Sequence, residues 1–223
     1  MNGDDRFFLA MAGAIVGTAF AGFARTYYLK PFGDSAPLSL LVHIHGVVFT
    51  IWILLFVAQI TFVAIRRTDW HRRLGVAMAL IASAMVILGA MTAVASSKRG
   101  VVPAGTGADQ LGGLAFTIGN IVAFACLVTI GILLRRRFET HKRLMLLAAI
   151  NLLPPAIGRI WPNGAPLLFC LFVLAGPLYD RVSRGRVHAA YTWGGCFVLA
   201  FFFLPGFVGS TAPWRSVAAW LIR

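Results

Sequence analysis

Five histidines and a few arginines and amides are the residues of this chain best suited to chemistry. His43 and His45 sit two apart in His43-Ile44-His45-Gly46, early in a long apolar run, while His71 and His141 each stand beside clustered arginines and His188 follows another. An imidazole can ligate a metal, carry a proton or bond an acceptor. On a helix, residues i and i+2 are about 200° apart, so His43 and His45 cannot chelate one ion and must serve different faces. His45, Trp52 and Gln59 recur every seven residues and share one helix face, drifting only about 20° per step. In lipid, a stripe of this kind is expected to turn toward the bundle interior.

Arg25, Thr117, Asn120, Asn151 and Arg159 add polar groups inside or at the edges of other apolar runs. The seven acidic residues read as loop or tail residues, which argues against a carboxylate proton relay. Cys126, Cys170 and Cys196 lie in apolar runs without metal-ligand or disulfide spacing and read as small buried hydrophobes.

The elements that must position these residues follow from composition. Of 223 residues, 59% are hydrophobic and only 12% charged. An average soluble domain carries about 25% charged residues, so this chain could not cover a soluble surface. The composition excludes an ordinary soluble enzyme, a disordered chain and a disulfide scaffold, and predicts an all-α polytopic membrane bundle. Seven spans are expected at about 7–24, 38–65, 74–95, 114–134, 143–160, 165–180 and 188–208, each near the roughly 20 residues a bilayer needs. Pro154-Pro155 interrupts the fifth. The chain reads as one transmembrane domain ending in an amphipathic tail, 209–223, suited to the membrane interface or to a partner.

The net charge of +13 would suggest nucleic acid in a soluble protein. Here the 20 basic residues sort by side. Arg6, Arg66, Arg67, Arg72, Arg73, Arg135, Arg136, Arg137, Lys142, Arg143, Arg181, Arg184 and Arg186 fall on one side, the other seven opposite. The positive-inside rule puts the first set, and the N-terminus, in the cytoplasm, with the C-terminus outside. No nucleic-acid partner is needed; the expected partners are the bilayer, anionic lipids at the cytoplasmic face and other membrane subunits. The acidic start of the chain argues against a cleaved signal peptide. Tyr27, Tyr28, Trp161 and Trp214 fall at predicted outer edges, and Trp70, Tyr179 and Tyr191 at inner ones, as an interfacial belt. Gly13, Gly17 and Ala21 form a small-residue stripe suited to helix packing, as do Ala79, Ala82, Gly89 and Ala93. Arg66–Leu74 and Arg136–Leu144 look like two copies of one helix start.

Two sites follow from this topology. Arg25, His43, His45, Thr117, Asn120 and Arg159 all fall in the outer half of the membrane and could converge on a cationic pocket, with Trp52, Gln59 and Asn151 deeper on the same interior faces. Such a pocket suits an anionic headgroup, a carboxylate, a quinone or cofactor propionates. In the alternative, the arginines snorkel to outer phosphates and the histidines bond backbone. His71 and His141 begin helices running in the same direction, so they stand at similar depth, as the two axial ligands of a b-type haem would. Set among arginines, they also suit anionic lipid. An outer haem on His45 and Met91 is a further arrangement. A purely structural or assembly subunit is the third reading.

As a set, His45-Gly46, Trp52, Gln59, Trp70-His71-Arg72-Arg73-Leu74-Gly75, His141-Lys142-Arg143 and Pro155-Ala156-Ile157-Gly158-Arg159 resemble the pattern of a family of bacterial multi-pass membrane proteins. The resemblance covers about residues 40–160. It implies a bacterial inner-membrane location and carries no activity with it.

Overall fold

Two helical hairpins in this chain are built on one plan, seventy residues apart. The first joins α2 (Leu40–Ala64) to α3 (Thr68–Lys98), and the second joins α4 (Gln110–Leu133) to α5 (Phe138–Asn151). Ser39 and Asp109 cap the two first helices, each accepting a bond from the backbone three residues on, Val42 and Gly112. Arg67 and Arg137 take the N-cap positions of the two second helices, with Asp69 and Glu139 in the first turns. Acids there suit the positive end of the helix dipole. The His71 and His141 backbone amides then donate to the Arg67 and Arg137 carbonyls at 3.2 and 2.9 Å. The likeness of the two helix starts in sequence is thus repeated in their capping.

The computed structural model describes residues 2–32 and 37–223. Around the hairpins stand α1 (Gly3–Phe23), continued by a π-helical turn over Ala24–Tyr28, then α6 (Pro154–Ile160), α7 (Ala165–Arg184), α8 (Ala189–Val208) and α9 (Ala212–Leu221). Among the described residues there is no strand. Six helices are long and apolar enough to cross a membrane. The α5–α6 pair, bent by 44° at its break, passes the same test when taken together, which brings the number among the described residues to between six and seven. The bend falls where Pro154 and Pro155 remove two amide donors, so the helix restarts with proline in its first turn. The sixth expected span runs on to Arg184, where Gly185 closes the helix at φ 71°, a left-handed conformation that favours glycine.

Contacts fix the two ends of the bundle. At the basal end Asp4 of α1 meets Lys142 of α5 and Arg184 of α7, and His71 of α3 meets His141 of α5. At the distal end Tyr27 meets His43, Gln110 bonds the Ser97 carbonyl, and Trp214 of α9 donates to the Leu111 carbonyl at 2.8 Å. The tail therefore folds back onto the start of α4, tied again by Arg215 to Asp109 at 2.8 Å.

Several sequence expectations change here. The Gly13/Gly17/Ala21 stripe faces out of the bundle, and α1 buries Phe8, Ala12, Ile15 and Ala19 instead. Gly22 carries the close approach of α1 to α6: a Cβ there would lie 2.5 Å from the Ala156 carbonyl. The second stripe packs inward through Ala82, Gly89 and Ala93. Tyr191 is a core residue at 2% exposure, not an interfacial one. Cys126 and Cys170 are half-buried and Cys196 is exposed on the apolar outside, all free.

The acids also differ from expectation. Asp180 lies within α7, fully buried, and both its oxygens accept from Arg143 of α5. Burying a lone charge is costly, and here the pair offsets much of that cost. Glu139 accepts from Arg143 and Lys142, and the His188 amide donates to Asp180 at 3.1 Å. Arg143, Lys142 and Arg184 thus serve an ion-pair network joining α1, α5 and α7.

Candidate functional site

Helices α2, α3, α4 and α6, the π-turn and the loop after α3 line a half-open cavity of about 470 Å³ at the distal end. Each helix offers one face to it, as helical spacing dictates. Val42, His45, Gly46 and Phe49 come from α2; Met85, Gly89, Thr92 and Ala93 from α3; Gly113, Thr117, Asn120 and Phe124 from α4; Pro155 and Arg159 from α6. Phe23, Tyr27 and Tyr28 close the remaining side. Gly46 is needed there, because a Cβ would stand 2.5 Å from the Tyr27 ring. Gly158 plays the same part for the loop above: its Cβ would lie 2.1 Å from the Ala104 carbonyl.

The walls are mostly apolar, with polar groups at intervals. His45 Nδ1 and Thr92 Oγ1 are both buried with no hydrogen-bond partner among the described residues. The Arg159 guanidinium lies over the Phe23 ring at 4.6 Å and donates to the Pro155 carbonyl at 2.6 Å. Among the described residues, no carboxylate pairs with it. Asn120 is held from behind by Asn151, whose amide donates to its side-chain and backbone oxygens at 2.5 and 2.9 Å. Thr117 donates to the Gly113 carbonyl at 3.0 Å.

The structure brings His45, Thr117, Asn120 and Arg159 to this one cavity and leaves other expected members outside it. His43 is exposed on the opposite face of α2, against the Tyr27 hydroxyl. Arg25 is exposed too, because it continues the outward stripe of α1. Trp52 is fully buried below the cavity, its ring 5.1 Å from Phe124 and its indole N–H unpartnered. Gln59 is buried deeper, with neither amide atom hydrogen-bonded. Met91 points out of the bundle at 52% exposure, so it cannot share a ligand with His45. Thr92 was not singled out from sequence; its one signal is a hydroxyl in the middle of an apolar run.

At the basal end the rings of His71 and His141 stand edge to face, centroids 6.3 Å apart and planes at 83°. His141 Nδ1 lies 2.8 Å from the Gly131 carbonyl, which assigns the proton to Nδ1. His71 Nδ1 is buried and unpartnered. His188 stands apart, capping α8 by accepting from the Ala190 amide at 3.1 Å. Burial and the nearby Arg143 charge hold its pKa below the usual histidine value. No group of three or more metal-ligating side chains occurs among the described residues.

Compared with known proteins, the chain matches no family model, no curated protein and no solved structure.

Proposed function

We propose that this membrane-spanning bundle binds a small amphiphile in the distal cavity. Its anionic or carbonyl head sits among His45, Thr92 and Arg159, and its apolar body lies along Phe23, Phe49 and Phe124. The observation that carries this reading is the pair of buried polar atoms without a partner among the described residues, His45 Nδ1 of α2 and Thr92 Oγ1 of α3, in residues that line the same cavity. Buried polar groups are nearly always hydrogen-bonded, so two orphans facing one space ask for an occupant. Arg159 adds a planar donor fork suited to a carboxylate or carbonyl oxygen. Ligand sites generally have this make-up, an apolar lining with few polar groups. The bias of arginine and lysine toward the other end of the bundle supports an outward-facing cavity.

Thermal unfolding of the detergent-purified protein tests this with two probes, dodecanoate and decyl-ubiquinone. At about a hundredfold excess over Kd, a ligand adds roughly 2.7 kcal/mol, a Tm rise of several degrees. Arg159→Gln and His45→Phe are expected to abolish the rise, while His43→Ala and Arg25→Ala keep it. No rise with either probe, or an equal rise in Arg159→Gln and His45→Phe, overturns the reading.

A further inference from the structure

We propose that His71 and His141 are the paired axial ligands of a haem at the basal end of the bundle. The two residues occupy equivalent places in two like hairpins, four positions past their N-caps Arg67 and Arg137, and the fold brings the two together. Two imidazole nitrogens each about 2.0–2.1 Å from one metal put their ring centres roughly 6.3–6.5 Å apart when both rings point a nitrogen edge at it from opposite sides, at any angle between their planes. The observed separation is 6.3 Å, with planes near perpendicular. The bond from His141 Nδ1 to the Gly131 carbonyl leaves Nε2 as the lone-pair nitrogen, the usual support of a ligating histidine.

The surroundings favour a haem over a bare ion. No third histidine, cysteine or carboxylate joins the pair among the described residues, so a four- or six-coordinate ion would lack protein ligands. Haem iron asks the protein only for axial ones, the macrocycle supplying the rest. Gly75, one turn beyond His71 on the same face of α3, faces the Gln59 amide: a Cβ there would stand at ordinary contact distance, 3.8 Å, from its nitrogen. That amide is itself buried with no partner. Arg67, Arg72 and Arg137, beside the histidines in the chain, form no ion pair with any described carboxylate and match the two propionates of a haem.

The test is a haemin titration of the full-length protein, read as the Soret band and as the α-band after dithionite, with iron and copper measured by mass spectrometry. The expected result is one haem per chain, lost in His71→Ala and in His141→Ala and retained in His43→Ala. His141→Met separates ligation from folding, since it should keep a haem with a changed axial spectrum. Haemin uptake equal in the protein and in the His71→Ala/His141→Ala double variant overturns the proposal. So does a chain that takes up copper at this pair and no haem.

Discussion

Arg143 of α5 holds Asp180 of α7 through two hydrogen bonds, Nε to Oδ2 at 3.0 Å and an Nη2 bond to Oδ1 at 2.6 Å, with both side chains only 1% exposed. A bidentate pair in a dry site is strong only while both members are present. Asp180→Ala leaves the guanidinium buried with Glu139 as its only remaining acid, and is expected to lower stability by about 3–5 kcal/mol. Replacing both members with leucine should cost much less than the sum of the single changes. Denaturant unfolding in a double-mutant cycle measures this.

The two faces of α1 make a second prediction. Gly22 and Gly158 are contact positions where an added Cβ meets backbone at 2.5 and 2.1 Å, whereas Gly13 and Gly17 meet nothing within 4 Å. Gly22→Ala and Gly158→Ala should each cost about 1–3 kcal/mol through overpacking. Gly13→Ala and Gly17→Ala should stay within about 0.5 kcal/mol of the parent or raise helix stability slightly. The comparison of the four melting curves fixes which face of α1 is inside.

His188 sets a pH dependence. Its Nδ1 accepts from the Ala190 amide, a role only the neutral ring can play, and burial lowers its pKa. The unfolded chain therefore binds a proton at His188 that the folded chain does not. This contribution is fully present above the unfolded value of about 6.5, and is lost as pH falls from there through the lowered folded value. Tm measured from pH 8 to pH 5 should fall below pH 6.5, and fall less in His188→Asn, which caps without titrating.

Asn151→Leu should loosen the floor of the distal cavity. It removes the donor to two oxygens of Asn120 and leaves them without that partner, a loss of about 1–3 kcal/mol. The same variant should weaken probe binding in the cavity while Asp180→Asn, at the other end, leaves it unchanged. Parallel titrations of the two variants read this.

Much of the fold can be read from the chain because each span is a long apolar run whose basal end is marked by arginines. Depth follows from counting helix rise from those ends, which is why His45, Asn120 and Arg159 can be placed together without coordinates. Facing is harder. Gly13, Gly17, Ala21 and Arg25 do share a face, but spacing alone says nothing about which face looks inward, and this one looks out. Asp180 misleads for a different reason. Hydropathy treats each charge alone, and its partner Arg143 stands 37 positions away. Thr92 is hidden because a hydroxyl in a helix usually satisfies itself on the preceding turn, and this one does not.

An occupant of the distal cavity is located most directly by photo-crosslinking. A diazirine-bearing fatty acid and an azido-quinone would be irradiated with the membrane-embedded protein and the labelled peptides mapped. Label is expected on the cavity faces of α2, α3 and α4, near His45, Thr92 and Phe124, competed by the unlabelled probe and lost in Arg159→Gln. Label confined to the outer, lipid-facing residues, unchanged by competitor and by Arg159→Gln, would contradict it.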